Sequence, residues 1–88
     1  MDRETLKLQL KNQIIQYLNL LNTKPEDIGD DDAFFGEKLA LDSIDSLELI
    51  VLLEREYGIK INSTAEGRKV LINVNTMADY ILENSKAV

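Results

Sequence analysis

The sequence predicts an all-α protein, a small bundle of four helices. Apolar residues recur at helical spacing over long stretches. Hydrophobic content of 44% beside 30% charged residues suits a globular chain with a modest core. One proline and four glycines leave little room for extended linkers. Val70 to Val74 has strand-like composition, but a single strand has nothing to pair with.

The elements follow in order. Leu6, Leu10, Ile14, Tyr17, Leu18 and Leu21 predict a first helix over about residues 3–21. It stops before Asn22-Thr23-Lys24-Pro25, where proline restricts the residue ahead of it. Residues 22–41 read as a long loop, rich in Asp and Gly, with apolar anchors at Ile28, Phe34, Phe35 and Leu39. Loops of that length are functional or wrap the core, and the phenylalanines predict that this one packs down. A second helix spans 43–57, opened by an Asp42-Ser43 step suited to N-capping. Ser63-Thr64-Ala65-Glu66 is a capping-box pattern that starts a short third helix, weakened by Gly67. Asn75 or Thr76 caps the last helix, which runs through Met77, Ala78, Tyr80, Ile81 and Leu82.

Eighty-eight residues make one domain, 1–88. No stretch approaches the ~20 apolar residues of a membrane span, and Met1 to Glu4 enters the helical pattern without a secretory apolar region. Cysteine and histidine are both absent. Thiolate chemistry, the usual general base, the usual zinc ligand and every Ser-His or Cys-His catalytic pair are therefore excluded. Any reactive group comes from elsewhere.

The net charge of −6 is unevenly spread. Residues 1–25 carry +2 and residues 57–88 carry +1, while 26–56 place eleven carboxylates against Lys38 and Arg55, a net of −9. Such a field repels nucleic acid and anionic membrane and steers toward basic protein surfaces.

The second helix has apolar residues on two sides. At roughly 100° per residue, Ser46, Leu49, Ile50, Leu53 and Tyr57 share the side expected to meet the core. Ile44, Leu47 and Val51 fall nearly opposite, among Asp45, Glu48 and Arg55. Burial on every side would bury those carboxylates as well, so the expectation is an exposed apolar patch with an acidic rim, suited to transient docking.

Next to that patch stands Leu41-Asp42-Ser43-Ile44-Asp45-Ser46-Leu47-Glu48-Leu49. Taken alone, an Asp-Ser step before a helix is an ordinary N-cap. In its setting it resembles the Asp-Ser-Leu attachment motif of the acyl carrier protein family, with Ile44 in place of leucine. Pro25-Glu26-Asp27-Ile28, Asp32-Ala33-Phe34-Phe35 and Leu53 to Ile61 are also similar to that family, as is the spacing to Ala78-Asp79-Tyr80-Ile81. Nearly the whole chain takes part.

The resemblance implies an acyl-carrier-like four-helix bundle of the discrete bacterial type. It implies 4′-phosphopantetheine on Ser43, placed there by a magnesium-dependent phosphopantetheinyl transferase. The arm's thiol then carries acyl groups as thioesters between enzymes of fatty acid or related lipid or polyketide synthesis. The implied partners are acyl-transfer, condensing and reducing enzymes with basic docking patches; the carrier is a cytoplasmic monomer that catalyses nothing. Asp42, Asp45, Glu48, Glu54 and Glu56 match the family's acidic contact positions, and Ile44, Leu47 and Val51 its apolar ones. Phe34, Leu53, Ile61 and Ala78 match positions lining the acyl pocket. A serine at a helix N-terminus also puts a phosphate near free backbone N–H groups. Asp42 and Asp45 would repel it, which predicts an arm root that is not clamped.

Two departures stand out. Ala40 replaces a glycine often found before the serine, which predicts a less open loop. Gly67 to Val74 is basic and apolar and somewhat longer than in typical fatty-acid carriers. A specialised pathway, with aryl-chain, polyketide or aminoacyl cargo, is therefore a rival, as is an unmodified helical interaction module. A calcium loop starting at Asp30 fails on spacing, because Phe34 and Phe35 fall where a ligand and a glycine are required.

Overall fold

The computed structural model describes residues 2–36 and 39–84. Among them run four helices and no strand: α1 (Arg3–Leu18), α2 (Ser43–Tyr57), α3 (Thr64–Val70) and α4 (Val74–Asn84). One 3-10 turn, Pro25–Asp27, interrupts the long connection from α1 to α2. Positions 37 and 38 of the expected 22–41 loop lie outside the described residues. The expected all-α bundle with a long first loop and a short third helix is present.

α1 is capped by Asp2, whose Oδ1 accepts the Thr5 N–H at 2.7 Å. Leu6, Leu10 and Ile14 form its buried stripe. The helix ends at Leu18, not near 21 as the periodicity suggests. Asn19 takes a left-handed conformation (φ 54°) and its N–H turns back to the Gln16 and Ile15 carbonyls. Asparagine tolerates that conformation better than other side chains, so it ends the helix well before the proline. Leu21, off the helix, is 83% exposed.

α1 packs mainly against α2 and α4, and α3 rests on α4. The buried ring of Tyr57 joins α2 to α1: its hydroxyl accepts from Gln9 Nε2 at 3.1 Å and donates to Gln13 Oε1 at 2.6 Å. That arrangement satisfies the polar end of an otherwise apolar contact. Gly58, at φ 66°, closes α2 in the conformation that glycine adopts most readily.

The long connection is fastened at several points. Phe34 is fully buried, its N–H donates to the Ile72 carbonyl at 2.8 Å, and its carbonyl accepts the Leu41 N–H at 2.9 Å. Lys7, also buried, pairs with Asp30 at 2.8 Å and Glu4 at 3.1 Å, and Lys11 reaches Asp30 at 2.7 Å. The Asn75 N–H donates to the Asp30 carbonyl at 3.1 Å. The loop thus packs down through Phe34 but not through Phe35, which stays 48% exposed.

At the far end, Asn73 and not Asn75 or Thr76 caps α4. Thr76 N–H donates to Asn73 Oδ1 at 2.9 Å, and Asn73 N–H donates to Thr76 Oγ1 at 3.1 Å. Asn75 instead accepts from Arg3 at 3.1 Å and donates to Asp31, while Arg3 pairs with Asp79 at 2.9 Å, joining α1 to α4. The capping box of α3 is only half made. Ser63 Oγ accepts the Glu66 N–H at 3.1 Å, but the Glu66 carboxylate accepts the Tyr80 hydroxyl of α4 instead of returning to its own cap.

A candidate attachment site at the start of the second helix

The geometry begins with Asp42. Its Oδ1 accepts the N–H groups of Ile44 and Asp45, both at 3.0 Å, and its own N–H donates to Asp45 Oδ2 at 3.0 Å. This reciprocal box makes Asp42 the cap and Ser43 the first helical residue. Ser43 is exposed, and its Oγ makes no hydrogen bond to any described residue. The rival reading of Ser43 as a plain N-cap does not hold, since Asp42 is the cap. The expectation of free backbone donors around it is corrected for three of them, the N–H groups of Asp42, Ile44 and Asp45, because the Asp-x-x-Asp spacing lets two carboxylates occupy the first turn; the Ser43 N–H has no acceptor among the described residues. A phosphate on Ser43 would find those three donors taken and two carboxylates beside it.

The outer face of α2 is as expected. Ile44 is 68% exposed, Leu47 62% and Val51 37%, which excludes burial all round. Asp42 and Glu48 are exposed around them, with Asp45 partly covered. On the inner face Leu49, Leu52, Leu53 and Tyr57 are buried, while Ser46 and Ile50 are only half covered. The core arc is rotated by roughly 40° toward Leu52 relative to the periodicity reading. Sequence reasoning missed Leu52 because an apolar residue between two apolar faces gives no signal of which one it joins.

Glu54 and Glu56 lie toward the other end of the helix, Glu56 about 20 Å along the axis from Ser43. Glu54 is exposed. Glu56 turns to α1, accepting from the Tyr17 hydroxyl at 2.9 Å and from Gln13 at 3.4 Å. The contact raises the Tyr17 pKa, chiefly by burial and then by the Glu56 carboxylate.

A cleft of about 660 Å³ opens beside Ser43. Ser43, Ser46, Leu47 and Ile50 form its α2 wall, and Ile61 faces them from the segment before α3. Of the four expected pocket residues, only Ile61 lines this cleft; Phe34, Leu53 and Ala78 are fully buried in the closed core. Phe35, expected as a packed-down loop anchor, lines it instead, as do Leu41 and Leu71, which were not among the expected pocket residues. Helical periodicity cannot find such residues, since it says nothing about which loop segment comes to rest against α2.

The acidic run of the first loop serves the fold. Asp30 holds Lys7 and Lys11, and these two lysines, Lys11 foremost, keep its carboxyl below the ordinary carboxylate range. Asp31 accepts from Asn75, and Asp32 accepts the Gly29 N–H at 2.7 Å.

A family described as "Phosphopantetheine attachment site" matches residues 9–65, which span most of α1, the loop, all of α2 and the start of α3. An acyl carrier protein of Brachyspira hyodysenteriae is 40% identical over 68 residues, covering 77% of this chain and 85% of that protein. The acyl carrier protein of Chloroherpeton thalassium is 38% identical over 56 residues, 64% of this chain and 68% of its own. The chain belongs to the acyl carrier protein family. Its role is that of an acyl carrier, and its cofactor is covalently bound 4′-phosphopantetheine. A serine hydroxyl that is exposed, has no partner among the described residues and stands at the lip of a cleft fits such a group. No helix among the described residues is long and apolar enough to cross a membrane.

Proposed function

We propose that Ser43 is the attachment residue and that this single carrier domain shuttles acyl groups between enzymes of fatty acid or related lipid or polyketide synthesis. The observation that carries the reading is the state of Ser43, exposed at the first position of α2 with its Oγ unbonded to any described residue because Asp42 performs the capping. The arm supplies the thiol that holds the cargo. The chain's own residues do the rest.

Asp42 and Asp45 fix the helix start and leave the serine hydroxyl open to a phosphopantetheinyl transferase. Ile44, Leu47 and Val51 present apolar area to a partner, and the rim carboxylates attract its basic residues and speed encounter. Glu54 and Glu56 extend that field along the helix. In this reading the carrier is a substrate of its partners, and the reactive thiol comes with the arm, since the sequence holds no cysteine.

Incubation with coenzyme A, magnesium and a broad-specificity phosphopantetheinyl transferase should add one phosphopantetheine by intact mass. Ser43→Ala should abolish the addition. An unmodified product, or modification that survives Ser43→Ala, would overturn the assignment and favour an interaction module that is never loaded.

A further inference from the structure

Gly67 stands in the middle of α3, where glycine is a poor helix former. Its backbone does not require glycine, because its φ is not among the positive ones. Sterics do not require it either: a Cβ there would meet Ile61 Cγ2 at 3.6 Å, an ordinary contact. Gly67 and Ile61 both line the cleft beside Ser43, so a larger side chain at 67 would take up space in that cleft.

The next residue, Arg68, is the single cation among the described residues lining the cleft. Its guanidinium has no ion pair and no hydrogen bond to any described residue. Asp42, the single carboxylate among the described lining residues, is committed to the N–H groups of its own helix. The cleft therefore combines apolar walls, room beneath α3 and one uncommitted positive charge.

We propose that this cleft binds an anionic oxygen group on a molecule with an apolar stem, Gly67 providing the room and Arg68 the counter-charge. The inference rests on the Ser43 reading for its two sources of such a group: the phosphodiester at the root of the arm, or a carboxylate at the far end of an acyl cargo. Arg68 is exposed, so its contribution is that of a surface ion pair, about two- to five-fold in occupancy.

The test is NMR on four forms of the ¹⁵N-labelled full chain: unmodified, arm-bearing, pentanoyl-loaded and glutaryl-loaded. The two acyl groups match in carbon number and differ in the terminal carboxylate. Movement of the Arg68 Nε–Hε resonance on arm addition identifies the phosphodiester, and movement only with glutaryl identifies the cargo carboxylate. In Arg68→Gln, the accompanying Gly67 and Ile61 amide shifts should shrink about two- to five-fold at the same loading. Gly67→Val should remove them, with Gly67→Ala as the folded control that keeps them. An Arg68 resonance unmoved in every form, or cleft shifts unchanged in Arg68→Gln, would overturn the proposal.

Intact mass of each sample separates the two readings. If no arm is added, the Ser43 reading fails by itself. The unmodified protein is then titrated with free 4′-phosphopantetheine and S-glutaryl-pantetheine, and the same Arg68 resonance decides for or against the cleft.

Discussion

Ala40 lies two residues ahead of the helix cap with φ 50°, in the left-handed region where a Cβ is crowded. Replacing a familiar glycine there does more than narrow the loop, since it imposes local strain of roughly 1–2 kcal/mol. Glycine would relieve the strain but lose more freedom on folding. Ala40→Gly should therefore stabilise the fold by a net of about 0.5–1 kcal/mol, read from the urea midpoint at constant m-value. Ser43 shows the opposite relation between sequence and structure. Its motif marks it in the sequence, yet only the hydrogen bonds of Asp42 show that its hydroxyl is spared from capping.

Among the elements, α2 divides stability from recognition most clearly. Asp42→Ala removes the acceptor for two N–H groups and should cost ~1 kcal/mol, up to ~2. Far-UV circular dichroism during urea unfolding measures that loss. On the same helix, Leu47→Ala should change stability by less than about 0.5 kcal/mol because Leu47 is mostly exposed, whereas Leu52→Ala should cost about 2–5 kcal/mol. A large loss at Leu47 would mean that the outer face is structural after all. The two apolar faces were legible from periodicity, but the side that takes Leu52 was not, since residues at a boundary are assigned only by the neighbouring helices. The ends of α1 and α4 were misread for a related reason. Apolar spacing continues past a helix end whenever the following loop also packs, and the caps Asn19 and Asn73 were outweighed by more familiar signals at Pro25, Asn75 and Thr76.

For the molecule as a whole, the charged ties predict two limits of stability with pH. Asp30 has its pKa lowered from 3.8 by Lys11 and Lys7, so its contribution is present above that value and is lost as pH falls through the lower folded-state value. Lys7 is raised from 10.5, chiefly by Asp30 and then Glu4; its contribution is full below 10.5 and is lost as pH rises through the higher folded-state value. Tyr57, raised from 10.0 by burial, weakens the fold in the same alkaline direction. Thermal melts from pH 2 to 12 should show both limbs, and Asp30→Asn should flatten the acid limb while lowering Tm at neutral pH. An unchanged acid limb in that variant would place the sensitivity elsewhere.

The sequence by itself determined the helical class, the span of α2, the serine with its acidic and apolar surroundings, and the family. Those features depend on local spacing and on motifs contiguous in the chain. Only the tertiary structure decided that Asp42 and Asp45 fill the donors beside Ser43, that Glu56 turns to α1, and that Ile61, Gly67 and Arg68 meet α2 across a cleft. The first is a local hydrogen-bond choice that the Asp-x-x-Asp spacing permits but does not compel; the other two depend on which segments pack together, and a contact between residues far apart along the chain leaves no mark in the spacing of either.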